Sequence, residues 1–434
     1  MQKTVLLNYA KLLARMGLNV QKGQEVIISA ELDQPEFAAM CAEECYRAGA
    51  EKVVVEWTHQ PVSRLGAEYK SEEILGTVPF WQQEKLRAQV RELPARLYLE
   101  SADPDGLSGI DTEKYARAMQ ARQKIIKPFR DKMENKYQWC IAAVPGKSWA
   151  KKVFPHMPAS AGMEKMWRTI LQCSRAYEGN PIANWQEHNR ALQARCAYLN
   201  GLGLTSLEYK SSNGTQLRVG LMKKGVFAAG SEKTLAGVEF NPNIPSEECF
   251  TSPKAGEAEG IVYSTKPLSW QGQLIRNFSV RFENGRATEV HAAQGGAALK
   301  KMISMDEGAS RLGECALVPF DSPISNSGVL FYNTLFDENA ACHLALGRGF
   351  TNCVDGYEQL TDEEMHAMGV NDSMIHVDFM IGNDDLCITG VTDTGARFPV
   401  FEGGNWAFKI LFVKKRAHRT CIFRYGALFL IYVK

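Results

Sequence analysis

The chain has 434 residues, 45% hydrophobic and 23% charged, which suits a soluble globular protein of two or three domains and excludes disordered or collagen-like classes. Its formal net charge is +1, yet the final stretch "KILFVKKRAHRTCIFRYGALFLIYVK" from Lys409 holds seven Lys/Arg and no acid, so the remaining body is near −6. A body of that sign argues against nucleic acid as the main partner.

The N-terminal "MQKTVLLNYAKLLARMGLNV" has amphipathic spacing, and Lys and Arg interrupt its apolar run, unlike a signal peptide. "GQEVIISA" is a β-rich run, "QPEFAAMCAEECYRAGA" is a helix with Pro35 in its first turn and Gly49 at its end, and "EKVVVEW" is a second β-branched run. This βαβ unit predicts a parallel sheet covered by helices. "ARLYLES" and "YQWCIAAVPG" predict further strands, and Met163 to Tyr177 and Ile182 to Leu199 predict helices. The turn after the first strand, "AELDQPEF", has no glycine-rich turn for a pyrophosphate, which argues against a dinucleotide site.

From about Gly201 the pattern changes. "LEYKSSNGTQLRVGL" and "NFSVRFENGRATEVHAA" alternate about Asn-Gly turns and predict hairpins, whereas "GAALKKMISM" and "FDENAACHLALGRGF" predict helices. The expected fold is an α/β N-terminal domain with a parallel sheet (1–200), a mainly antiparallel α+β C-terminal metal-binding domain (201–408), and an atypical basic and apolar tail (409–434). The run "YGALFLIYV" in that tail is about half the ~20 residues a spanning helix needs. Stable membrane insertion is therefore not expected. Eleven cysteines with no C-x-x-C pair read as reduced, mostly buried thiols, so a cytoplasmic protein is expected.

Four segments of the second half carry metal-ligand residue types. In "FNPNIPSEECFTSP" two prolines stiffen a loop presenting Glu247 and Glu248, adjacent carboxylates that repel unless a cation or solvent intervenes; an exposed acidic turn is the alternative. In "GASRLGECALVPF", Glu314 lies inside an apolar β-like run and needs either Arg311 or a metal as partner. "FDENAACHLALGRGF" holds Glu338 and His343, five residues or about 140° apart on a helix. There Glu338 would sit at the entry turn, although a dipole-favoured acid and a core histidine explain the pair as well. In "IHVDFMIG", His376 and Asp378 share one face of a strand. Four carboxylates and two imidazoles suit two divalent ions about 3.5 to 4 Å apart, with Zn, Co or Mn favoured by O/N ligation.

These four segments, in this order and spacing, resemble the aminopeptidase T family of thermophilic-type metallo-aminopeptidases, which includes aminopeptidase S and the PepS enzymes. The resemblance runs over residues 1 to 408 and closes at "NWAF", Asn405 to Phe408. It implies a homodimer that removes N-terminal residues from peptides with a free N-terminus, using two divalent ions. It makes Glu248 a ligand, Glu314 the bridging ligand and a catalytic residue, and Glu338, His343, His376 and Asp378 the rest of the site. Glu247, beside Glu248, is the expected catalytic base.

Two departures bear on activity. The family often places a tyrosine seven residues after the histidine, where this chain has Phe350; a phenyl ring donates no hydrogen bond, and Tyr357 is the available substitute. The tail from Lys409 looks foreign to the family. A non-catalytic metal-binding dimeric scaffold is thus a second reading. A two-metal hydrolase of another substrate class, such as a phosphoesterase, is a third, against which the scarcity of basic residues near the ligand segments counts.

Overall fold

The computed structural model describes residues 1–270, 273–412 and 429–433. Strands β1 (Glu25–Glu31), β2 (Lys52–Thr58), β3 (Ala95–Glu100) and β4 (Trp139–Ala143) form a parallel sheet in the order β2-β1-β3-β4. The βαβ unit read from sequence is there. Its helix, Pro35–Ala48, starts on Pro35 and ends at Gly49 with φ of 119°, a left-handed position that glycine occupies without steric cost.

One face of this sheet is apolar. Val26 and Ile28 of β1, Leu97 and Leu99 of β3, and Cys140 and Ala142 of β4 pack with Tyr9, Leu12, Phe37, Cys41 and Cys45. The opposite face of β3 carries Arg96, Tyr98 and Glu100, which open on a cavity.

The helix Pro181–Gly201 leads into β5 (Leu204–Lys210), which turns through Asn213-Gly214 into β6 (Gln216–Leu221). These belong to a nine-stranded antiparallel sheet that includes the second predicted hairpin, Gln273–Glu283 with Arg286–Gln294. A separate four-stranded antiparallel sheet has the order Cys249–Thr251, Leu312–Leu317, His343–Gly347, His376–Met380. Asn243–Ile244, just upstream of its first strand, pairs in parallel with β4 and so completes the first sheet.

The segment His343–Gly347, expected to be helical, is a strand. Only Thr334–Asp337 and a 3-10 turn, Glu338–Ala340, are helical. The reason is alternation: Leu344 and Leu346 reach the apolar core, while His343, Ala345 and Gly347 occupy the other face. Pairing on both sides of the strand outweighs the helix propensity of Ala and Leu.

In the tail, Phe429–Val433 pairs with Phe408–Phe412. The rest of the predicted foreign extension, 413–428 and 434, lies outside the described residues. Among the described residues no helix is long and apolar enough to cross a membrane.

Candidate metal centre

The four-stranded sheet builds its site by register. Glu314 pairs with Ala345, and Ala345 pairs with Asp378, so these three lie in one row across three strands. His343 is two residues from Ala345 and His376 two from Asp378, which puts both imidazoles on the same face. The methyl group of Ala345 leaves the centre of that face open. Leu317, Leu344, Leu346 and Phe379 line the opposite face and anchor the sheet in the core.

Register shifts between Leu312 and Glu314, and the shift requires glycine at the residue between them. A Cβ on Gly313 would fall 2.2 Å from the carbonyl oxygen of Arg348. "RLGE" is thus a bulge that aims a carboxylate.

Ligand-type atoms form two groups, each within 4.8 Å: Glu248, Glu314 and His343, and Glu314, His376 and Asp378. Glu314 belongs to both. His343 Nε2 is 3.3 Å from Glu248 Oε2, and His376 Nε2 is 3.1 Å from Glu314 Oε2 and 3.3 Å from Asp378 Oδ1. Behind the rings, His343 Nδ1 lies 3.1 Å from the Ala341 carbonyl and His376 Nδ1 lies 2.7 Å from that of Arg348. Each carbonyl accepts from Nδ1–H, so in the neutral ring the lone pair of Nε2 faces the carboxylates.

Without a cation this cluster is electrostatically unbalanced. Burial, reinforced by the charges of Asp378 and Glu248, pushes the Glu314 carboxyl up to about 7. Burial and the same two neighbours push Glu338 well above the carboxylate range. Burial works against protonated His343, but Glu248 and the other carboxylates outweigh it and raise the ring to about 10. Asp378 Oδ1 is buried and, although His376 Nε2 lies 3.3 Å away, receives no well-directed hydrogen bond, which is costly for a charged oxygen. Divalent ions in place of the held protons would relieve the repulsion and occupy the orphaned oxygen, so the donor set fits them.

Glu338 lines the same cavity and is close enough to Asp378 and Glu248 for their charges to act on it, but it belongs to neither three-residue group. Glu247 is not brought to the site. Both of its oxygens accept from the Arg175 guanidinium, Nη2 at 2.8 Å, with His188 Nε2 3.8 Å away. Neighbouring residues of an extended segment point in opposite directions, so Glu248 enters the cavity and Glu247 the helices behind it. This geometry removes Glu247 as the base.

Tyr357 does not line the cavity; it packs beside Met222, Val354 and Met365. Phe350 does reach it, with its ring centroid 4.8 Å from that of His376 and 5.5 Å from that of Phe250.

The sequence reading missed Asn339. Fully buried, it accepts from the Glu247 N–H at 2.7 Å and donates to Leu335 O at 2.9 Å, joining the loop of Glu248 to the turn of Glu338. It also missed Glu232, a cavity-lining carboxyl that burial pushes to about 7. Glu232 stands in "GSEKT", which carries no motif, whereas an asparagine beside a ligand residue was at least a cue.

The cavity has a volume of about 1060 Å³, and both the parallel sheet and the ligand cluster contribute to its walls. A family model described as thermophilic metalloprotease (M29) matches residues 2–406. Aminopeptidase AmpS of Bacillus subtilis is 39% identical over 401 residues, covering 92% of this chain and 98% of that protein. Aminopeptidase T of Thermus thermophilus is 39% identical over 398 residues, covering 92% and 97%. The solved structure of wild-type AmpT from Thermus thermophilus superposes with a TM-score of 0.86 at 38% identity, covering 93% of this chain and 99% of that one.

Proposed function

This chain belongs to the thermophilic metalloprotease family (M29), and from that membership we propose that its cavity holds two divalent ions, Zn, Co or Mn, and releases N-terminal residues from peptides. The observation that carries the reading is Glu314, shared by two ligand groups on one sheet face. Glu248 and His343 would hold one ion, His376 and Asp378 the other, Glu314 both, and Glu338 would complete the set.

When bound, such ions polarise the scissile carbonyl and bring the pKa of water toward neutrality. The chain supplies orientation: Ala341 and Arg348 carbonyls hold the imidazoles, Asn339 holds the loop of Glu248, and the Arg175–Glu247 pair anchors that loop from behind. The acidic wall, with Glu232 beside the ligand residues, favours an α-ammonium group and so an unblocked N-terminus. Phe350 closes the side of His376 without offering a hydrogen bond, which favours a slow enzyme and, as second reading, a metal scaffold.

The ten described cysteines are free thiols, nine of them buried, which supports a cytoplasmic setting. Exposed Val62, Leu65 and Tyr69 form one stripe of the helix Gln60–Tyr69, which supports a homodimer through that face.

The test is metal content measured together with chelator-sensitive release of free amino acid from a panel of dipeptides, in wild type and Glu314→Gln. Two ions per chain and turnover lost with chelator or in the variant are expected. Bound metal without turnover would replace the peptidase with the scaffold, and chelator-insensitive turnover would remove the metal mechanism.

A further inference from the structure

The cavity also takes in residues of strand β3, whose chemistry differs from that of the metal cluster. Strands of a parallel sheet covered on both faces are apolar throughout, yet β3 turns Arg96, Tyr98 and Glu100 into the cavity. Glu100 Oε2 accepts from Asn333 Nδ2 at 2.9 Å, in the loop that leads to Glu338. Arg96 lies four residues back, roughly 13 Å along a strand.

Arg96 has no strong partner. Its guanidinium carbon is 5.3 Å from the centre of the Tyr98 ring, its Nη1 makes one long 3.4 Å contact to Gln89 Oε1, and its Nε is buried without a hydrogen bond. Arg130 lines the cavity as well, and among the described residues no carboxylate pairs with either arginine. Glu134, one turn beyond Arg130, is already taken by Arg348 and Thr351. Tyr137 stands close to both arginines; burial pushes its phenol up to about 12, so it remains an O–H donor.

We propose that Arg96 and Arg130 form a subsite for the free C-terminal carboxylate of a short peptide whose N-terminus lies at the metal centre. This rests on the aminopeptidase reading and specifies its substrate class. Glu248, Glu314, Glu338 and Asp378 are the acids a terminal ammonium would meet, while Arg96, four residues down β3 from Glu100, and Arg130 line the same cavity, where Glu134 is already paired with Arg348. Guanidinium is the side chain best matched to a carboxylate, through paired N–H donors, and the Arg96 guanidinium lies over the Tyr98 ring. Glu134, one turn from Arg130, accepts from Thr351, next to Phe350, which ties the helix of Arg130 to the wall of the same cavity.

The experiment compares Leu-Gly-Gly as free acid, as C-terminal amide, and Leu-Gly-Glu amide, with the metal-loaded full chain. We expect kcat/KM about tenfold higher for the free acid, carried by KM, equivalent to ~1.4 kcal/mol. In Arg96→Gln, in Arg130→Gln and most fully in both together, the acid-to-amide ratio should fall toward one. Equal hydrolysis of acid and amide by wild type overturns the proposal, as does a preference that survives in the double variant. Rescue by the Glu amide would assign the subsite to acidic side chains instead of the terminus. If neither peptide turns over, the aminopeptidase reading fails separately. Calorimetry on Glu314→Gln then decides, with equal affinity for acid and amide counting against the subsite.

Discussion

Strand β3 and the strand Leu312–Leu317 both deliver charged side chains to one cavity, but they do so under different constraints. On β3, Arg96 and Glu100 are half-buried, and each meets a neutral amide, Gln89 or Asn333. On Leu312–Leu317, Glu314 is 4% exposed and faces two further carboxylates and two imidazoles. The first leaves a guanidinium short of a partner, whereas the second crowds carboxylates whose repulsion a divalent cation would relieve, and that excess of negative charge distinguishes a candidate ligand site from a polar wall.

Two buried histidines repeat the contrast. Burial wins at His188 and holds its ring down at about 4, despite nearby Glu247. At His343 the surrounding carboxylates win and raise the ring to about 10. Burial alone does not mark a candidate metal ligand; the density of negative charge around the buried ring does.

Three substitutions would break or sharpen this contrast. The largest effect is expected from Ala345→Leu, which would fill the space between Glu314 and Asp378. Overpacking should cost ~1–3 kcal/mol of stability, while bound metal disappears and activity falls at least ~100-fold. A folded variant that keeps both its metal and its turnover would refute the open-centre account, and metal analysis beside kcat/KM decides it.

Next is Phe350→Tyr. A phenol beside His376 restores a hydrogen-bond donor, and kcat should rise about 10- to 100-fold with metal content constant. An unchanged kcat would show that the site already has its donor.

The smallest effect belongs to His188→Gln. His188 stays neutral in the fold down to about pH 4, whereas the unfolded ring takes a proton near 6.5. Its contribution is therefore intact above pH 6.5 and drains away as the pH falls toward 4, by about 1–2 kcal/mol at pH 5.5. Denaturant titrations at pH 7.5 and 5.5 should show a shallower acid loss in the variant; an identical slope would assign the acid sensitivity to other groups.

Several parts of this architecture are written locally. Period-two spacing in "IHVDFMIG" puts His376 and Asp378 on one face, Asn-Gly pairs mark both hairpins, and Pro35 and Gly49 bracket a helix. The misreadings have one physical origin. In "ACHLALG", Ala and Leu propensity suggests a helix, and only the pairing of His343–Gly347 with strands some 30 residues away on either side makes alternation decisive. Glu247 and Glu248 are chemically identical, and their opposite fates depend on Arg175, 72 residues earlier. Nothing in "ARLYLES" marks Arg96; only the fold brings it to the cavity.

The pairing of Asn243–Ile244 with β4 has a mechanical meaning. Those two residues are stitched into the first sheet, and Glu248 follows only four positions later. The two walls of the cavity therefore share a suture, and any shift of the first sheet reaches Glu248 through a tether of four residues.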